Sequence, residues 1–171
     1  MDMNDLMKIA IESGLLHQVS KKIGISDKEA NSAVEVILPM LLKGMQGQAN
    51  NKATKEGFLK ALDDHSKSDI DDVTKFVKNV DEDDGAKIVK HLLGTHTDEV
   101  AAKAKKKSGL STKDIIKIMA ILAPLLMSQM GKTAKKEAKE KDTDDMSGIV
   151  GKLIDNIDVD DVIKIAGLLL K

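Results

Sequence analysis

The chain has 171 residues, of which 42% are hydrophobic and 32% are charged, and its formal net charge at pH 7 is -1. This composition is that of a globular protein, and it provides no overall electrostatic attraction to nucleic acid or to an anionic membrane. The sequence contains no cysteine, and all 27 basic residues are lysine.

These absences exclude several chemistries. Without cysteine the chain has no disulfide, no thiolate nucleophile and no cysteine ligand for a metal. Without arginine it lacks the planar fork that reads guanine or clamps phosphate. The aromatic residues are Phe58 and Phe76 alone, which are too few for a platform that stacks single-stranded nucleic acid.

The N-terminal sequence, MDMNDLMKIA, begins with an acidic residue and lacks the basic region and the cleavage site of a secretory signal. The longest uninterrupted apolar run, Ile118 to Met127, is half of the roughly 20 residues that a membrane span needs. We therefore expect a cytoplasmic protein that does not enter the membrane.

Apolar residues recur at helical spacing along the chain, and no segment alternates as a strand does. The sequence therefore predicts an all-α fold, with helices near residues 3–13, 15–23, 27–46, 54–64, 69–79, 83–93, 98–107, 112–131, 147–156 and 159–170. Residues 132–145 are almost entirely polar, and they form either a solvated helix extension or a flexible linker.

Short polar signals mark the helix ends. Ser26 and Glu29 have the spacing of a capping box, and Ser111 with Asp114 is its acidic counterpart. Thr97 is predicted to cap the helix that follows it. Four glycines come directly after periodic segments and are expected to be left-handed caps, namely Gly14, Gly24, Gly94 and Gly109.

One pattern occurs twice. Residues 24–45, GISDKEANSAVEVILPMLLKGM, align without a gap with residues 109–130, GLSTKDIIKIMAILAPLLMSQM, at an offset of 85 residues. The alignment matches a glycine, a serine and a proline, which are the residues that punctuate helical chains. We infer two similar helical units, produced by duplication.

Each repeated segment is apolar on almost every side, which indicates a buried central helix rather than a recognition helix in a DNA groove. Pro39 and Pro124 lie about halfway along. An interior proline removes one helical hydrogen bond and crowds the carbonyl four residues earlier, at Glu35 and Ala120. We expect these prolines to bend two core helices and leave each freed carbonyl in need of a partner.

The predicted architecture is a multihelical array of two similar units, each centred on a long, proline-kinked, buried helix. The units span about residues 15–50 and 95–131, and helices within 52–94 join them into a duplicated core, 1–131. The polar segment 132–145 follows, and residues 146–171 are predicted to form a C-terminal helical hairpin.

With these residues in view, the chain resembles the YidB-like bacterial family, the domain of unknown function 937. The resemblance covers roughly residues 15–131, through the two repeated segments and the glycine-bracketed helix GAKIVKHLLG. It implies an all-helical array and brings no established activity. Members often end in a glycine-rich segment with two aspartates; here Asp160 and Asp161 are present but the internal glycines are not.

Histidines and aspartates offer two candidate metal sites. His91 and His96 have the spacing of half a zinc site, but no other half exists. The segment VDEDDG, 80–85, resembles a calcium loop, but Val80 and His91 fall where that loop needs oxygen ligands. We expect its acids to stabilise the start of a helix instead. No metal site is assigned.

Two lysine motifs resemble phosphate-binding sequences. MGKT, 130–133, imitates the end of a phosphate loop, but Leu126 stands where the first glycine is required. The run KAKKKSG, 103–109, could bind phosphate, although lysines are also favoured at the end of a helix.

No catalytic, cofactor-binding or metal-binding residue and no cofactor is predicted. The leading hypothesis is a non-enzymatic helical interaction or scaffold protein, with an unknown protein partner or with itself. One alternative is a non-specific nucleic-acid-associated protein that uses lysines on one face. Another is a protein that binds calcium, or a small lipid-like ligand in a pocket of leucine, isoleucine and methionine.

Overall fold

The structure is a computed structural model that describes residues 14–156. These residues fold into eight α-helices without a strand, which confirms the all-α prediction for this part of the chain. The helices are α1 Leu15–Ile23, α2 Asp27–Asn50, α3 Lys55–His65, α4 Val73–Asn79, α5 Glu82–Leu93, α6 Thr97–Ser108, α7 Thr112–Glu140 and α8 Met146–Asp155. The helices predicted at 3–13 and 159–170 lie outside the described residues.

The two repeated turns have the same local geometry. Gly24 and Gly109 both adopt the left-handed conformation that ends a helix, with φ of 85° and 76°. Ser26 and Ser111 follow in extended conformation, and each side chain accepts a hydrogen bond from the amide three residues later. The predicted caps at these turns are confirmed, whereas the duplication itself stays a prediction.

Two predicted caps are wrong. Thr97 is the first residue of α6 rather than its cap, and its hydroxyl donates a 2.9 Å hydrogen bond to the carbonyl of Gly94. Gly94 has a positive φ of 54° but a ψ of -125°, so it is not a left-handed cap. Instead it opens a short 3-10 turn, Gly94–His96, that leads directly into α6.

Three helix boundaries differ from the prediction by at least one helical turn, and others by a single residue. α4 begins at Val73 rather than at 69, because the Asp72 side chain accepts a hydrogen bond from the Lys75 amide and so fixes the start. α2 continues to Asn50 rather than 46, and α7 continues to Glu140 rather than 131. The first part of the polar segment 132–145 is therefore a helix extension.

The helices pack around α7. α5 and α3 make the most extensive contacts with it, and α8 folds back onto it. α2 packs mainly on α6 and α5, and α1 packs on α4 and α2. α8 also contacts α2, so both long helices have other helices on several sides.

Burial is continuous over the middle of α7 and interrupted along α2. Every residue from 118 to 128 in α7 is buried, as the sequence predicts for a central helix. In α2 the side chains of Glu35, Val36 and Met40 are only half-buried and Lys43 is exposed. Neither helix therefore offers the long polar face that a DNA groove requires.

Both prolines lie inside unbroken helices and are buried. Pro124 cannot donate a hydrogen bond to the carbonyl of Ala120. Gly85 of α5 lies directly on that carbonyl: a Cβ atom added to Gly85 would come within 2.7 Å of the Ala120 carbonyl carbon. The hydrogen in that direction points at the carbonyl oxygen, the geometry of a weak Cα–H···O bond. The bend itself stays a prediction.

Two further glycines bring helices equally close. A Cβ at Gly44 of α2 would lie 2.9 Å from the carbonyl carbon of Leu92 in α5, and one at Gly131 of α7 would lie 3.1 Å from that of Leu62 in α3. Real Cβ atoms are rarely found so near. The close spacing of α2, α3, α5 and α7 therefore depends on glycine at these contact positions.

Gly85→Ala should destabilise the fold by about 1–3 kcal/mol, because the added methyl group forces α5 away from the Ala120 carbonyl. The matched control is Gly47→Ala, a helical glycine of α2 with open space around it. That change should stabilise the protein by about 0.5–1 kcal/mol through helix propensity. Urea unfolding measures both, and equal effects of the two changes would contradict the packing role of Gly85.

Ser128→Ala should raise stability by about 1 kcal/mol. The Ser128 side chain is fully buried in α7, and its hydroxyl has no hydrogen-bond partner among the described residues. Removing a buried, unpaired hydroxyl removes its desolvation cost. Thermal unfolding tests this, and a lower melting temperature for the variant would show that the hydroxyl is paired.

Candidate functional site

An apolar cleft separates α3 from α5. Both helices pack against α7, but they make almost no contact with each other. The space between them has a volume of about 310 Å³ and reaches the surface beside exposed Gly57 and His91. We call this space the α3–α5 cleft.

One wall of the α3–α5 cleft carries small residues. Thr54, Gly57, Phe58 and Ala61 line it at the i, i+3, i+4 and i+7 spacing of one helix face, and Ala53 precedes them. Phe58 is buried at the base of this wall, whereas Ala53 and Gly57 are exposed. Space remains here because the exposed positions have little or no side chain.

The opposite wall and the floor are aliphatic. Ile88 and Leu92 of α5 form the wall, and Met127 of α7 forms the floor. At one end Gln48 of α2 donates a 2.7 Å hydrogen bond to the backbone carbonyl of His91, which ties α2 to the rim. These contacts fix the α5 side of the cleft.

The lining of the α3–α5 cleft contains no lysine, aspartate or glutamate. Its polar groups, Gln48, Thr54 and His91, lie among apolar side chains, and the Thr54 hydroxyl is already bonded to the carbonyl of Gln48 at 2.9 Å. Such a surface favours an uncharged apolar occupant, since an ion would lose its hydration there without gaining a partner.

A second cleft, of about 360 Å³, is polar and lies beside Pro124. The nearest His65 and Asp84 atoms, Nε2 and Oδ2, are 3.9 Å apart, too far for a hydrogen bond. Asp81, also in the lining, uses its carboxylate to accept hydrogen bonds from the amides of Asp83 and Asp84. These groups therefore do not form an aligned acid–base pair.

Sequence reasoning missed one polar cluster at the turn between α1 and α2. The Asp27 carboxylate accepts a hydrogen bond from the buried Ser20 hydroxyl, and its other oxygen lies 3.1 Å from His17 Nδ1. His17, Ser20 and Asp27 are three and then seven residues apart, a spacing that matches no motif and therefore does not reveal the cluster in the sequence. Because aspartate rather than histidine is central, this is not the order of a hydrolase triad; it joins the two helices.

The hydrogen bond from Ser20, followed by the contact with His17, lowers the pKa of the Asp27 carboxyl below its ordinary value. The charged form is therefore favoured in the folded protein. Its stabilising effect is fully present above the ordinary pKa of about 4 and is lost as the pH falls below it.

Most candidate metal ligands from the sequence lie apart from one another or already have a partner in the protein. His91 lines the α3–α5 cleft, whereas His96 lies in the 3-10 turn, where its Nδ1 is 3.4 Å from a Glu99 carboxylate oxygen. Asp81 caps α5, as expected for the acids of segment 80–85. Asp160 and Asp161 lie outside the described residues.

The lysine motifs are built into helices. In the run 103–109, Lys103 pairs with Glu99 at 3.2 Å and Lys107 pairs with Glu35 of α2. The MGKT sequence lies within continuous α7, so it forms no loop around a phosphate. In residues 14–156 no group of three or more acidic or histidine side chains is placed to hold a metal ion.

The length and apolar content of α7 would allow it to cross a membrane, which the short uninterrupted run did not predict. However, 78% of its most apolar window is buried inside the protein. A helix covered in this way is a core helix by its contacts.

The described fold and its cleft define an all-helical protein with a preformed apolar groove at its surface. The family model of a bacterial protein of unknown function, DUF937, matches residues 5–133. The chain belongs to this family, as the resemblance to YidB-like proteins predicts. Neither the curated proteins nor the solved structures contain a significant match.

Asp27→Asn should destabilise the protein at pH 7 and flatten the fall in stability between about pH 5 and pH 3, because the neutral amide cannot titrate. The control is Asp71→Asn, since Asp71 is exposed and its side chain has no hydrogen bond or ion pair with the described residues. Urea unfolding at a series of pH values measures the difference. Parallel pH curves for Asp27→Asn and the wild type would contradict the role of this carboxylate.

Proposed function

We propose that this protein is a non-enzymatic helical interaction protein that associates with itself, and that the α3–α5 cleft receives an apolar segment of a second copy. The cleft is the observation that supports this proposal. It is a surface groove between two helices, and amphipathic helices commonly bind such grooves through apolar side chains at i, i+3, i+4 and i+7.

The size and lining of the cleft support a protein segment over a small molecule. A volume of about 310 Å³ is at the lower limit of small-molecule pockets, which are about 300–1,000 Å³. Small residues on the α3 wall allow a helix backbone to approach, while Phe58, Leu92 and Met127 provide the apolar contact. The uncharged lining suits the apolar face of a helix.

The chain itself contains segments that suit the cleft. Its last residues include VIKIAGLLLK, 162–171, which is strongly apolar and has few charges. An apolar surface of this kind is usually covered by the protein or by a partner. A second copy is therefore a partner of the right chemistry. A cytoplasmic location is part of the same proposal.

Binding of nucleic acid is less well supported. Lys103 and Lys107 have acidic partners, and neither Phe58 nor Phe76 belongs to the lysine-rich helix α6. Retardation of DNA in a gel-shift titration that weakens steeply with salt would favour that alternative over the proposal.

Gly57→Leu should weaken self-association at least about tenfold, because the new side chain occupies the α3–α5 cleft. A Cβ at Gly57 has no atom within 4 Å, so a side chain can start there without a clash against the monomer. Light scattering after size exclusion, over a range of protein concentrations, measures the mass. The wild type is expected to shift from monomer to dimer as its concentration rises.

The matched control for this experiment is Gly47→Leu. Gly47 is also a helical glycine with open space around it, but it does not line the cleft. This variant should associate like the wild type. A wild-type chain that stays monomeric at every concentration, or equal weakening by both substitutions, would overturn the proposal.

A further inference from the structure

Three lysines line a surface groove between α1 and α4, namely Lys21, Lys22 and Lys78. We call it the α1–α4 groove, and we infer that it binds a small phosphate anion with at least two negative charges, of which inorganic diphosphate is a simple example. The inference goes beyond the proposed function, because neither α1 nor α4 lines the α3–α5 cleft.

Each of the two helices presents one face to the α1–α4 groove, at i, i+3 and i+4 spacing. The lining residues are Gln18, Lys21 and Lys22 of α1 with Thr74, Val77 and Lys78 of α4. The groove has a volume of about 360 Å³. Val77 is buried, whereas the other lining residues are exposed or half-buried. The groove is therefore open to an ion from solution.

Lys22 is held in the α1–α4 groove by a hydrogen bond. Its Nζ donates a 2.8 Å hydrogen bond to the backbone carbonyl of Val77, near the end of α4. An ammonium group has three N–H donors, and this carbonyl accepts from one of them. Lys22 therefore keeps its charge in the groove and retains two donors for the oxygens of a ligand.

The positive charge of the α1–α4 groove has no acidic partner in the described chain. The lining contains no aspartate or glutamate, and its three lysines form no ion pair with the described residues. By contrast, the polar cleft beside Pro124 is lined by Asp81 and Asp84 as well as by a lysine. The groove therefore concentrates uncompensated positive charge on a chain whose net charge is -1.

Helix ends account for part of this charge. Lys21 and Lys22 lie in the last turn of α1, and Lys78 lies in the last turn of α4. A helix C-terminus has a partial charge of up to about -0.5, so two such ends offset about one of the three ammonium charges. About two positive charges remain after this offset, and they match an anion with two or more negative charges.

The donors of the α1–α4 groove suit phosphate. An ammonium group binds phosphate as a point charge and does not need the planar geometry of arginine. The Gln18 amide and the Thr74 hydroxyl lie in the same lining, have no hydrogen-bond partner among the described residues, and can donate to phosphate oxygens. Two linked phosphate groups offer acceptors to both helices, whereas a single carboxylate has only two oxygens.

Isothermal titration calorimetry of the full chain with sodium diphosphate at low ionic strength tests this inference. The wild type should bind at one saturable site per chain, and the affinity should fall as sodium chloride is added, because salt screens exposed charges. The double variant Lys21→Gln/Lys78→Gln should bind at least about tenfold more weakly, since it removes two of the three charges. Lys22 is left unchanged because it bonds to α4.

The matched control is Lys105→Gln/Lys106→Gln. These two lysines of α6 are exposed, form no ion pair with the described residues and lie outside the α1–α4 groove. The control changes the net charge by the same amount and should bind diphosphate like the wild type. Thermal unfolding confirms that both variants are folded. No saturable binding to the wild type, or equal weakening in the two double variants, would overturn the inference.

A lipid headgroup is a second source of phosphate, and flotation with phosphatidylglycerol vesicles distinguishes it from a soluble anion. Binding of diphosphate by a protein that does not float with the vesicles supports the inference. Flotation without calorimetric binding of diphosphate would overturn it in favour of a membrane surface. This test and that of self-association can fail separately, because the α1–α4 groove and the α3–α5 cleft share no residue.

Discussion

The fold depends on backbone contact between helices at the centre of the protein. α5 can lie on α7 at Ala120 only because Gly85 has no side chain. The contact coincides with the one carbonyl that Pro124 leaves without its usual helical donor. The proline in the middle of a buried helix and the glycine in the neighbouring helix are therefore complementary, which gives a physical reason for the first glycine of the segment GAKIVKHLLG.

Much of this arrangement could be predicted from the sequence, because helix periodicity and capping are local. The capping box of Ser26 and the glycine turn at 109 fixed helix starts to the residue. The end of α7 could not be found in this way. Residues 132–140 look fully solvated, but Ala134 and Ala138 are buried, and burial of small residues depends on packing that composition does not reveal.

The site was less predictable than the fold. The histidines, acids and lysines that form candidate motifs in the sequence mostly cap helices or form surface pairs in the structure. The α3–α5 cleft exists instead because two helices do not touch and because Gly57 and Ala61 carry no large side chain. His91, half of the histidine pair with zinc-like spacing, lies at the rim of the cleft, and residues 14–156 contain no metal-binding cluster. A cleft that forms where two helices do not touch leaves no motif in the sequence.

The two walls of the cleft are positioned by three glycines, none of which belongs to its lining. Gly131 sets how closely α3 approaches α7, while Gly44 and Gly85 set the position of α5. Because α3 and α5 hardly touch, each wall can shift without disturbing the other. The width of the opening can therefore change through single substitutions at remote glycines while every residue that lines the cleft stays the same.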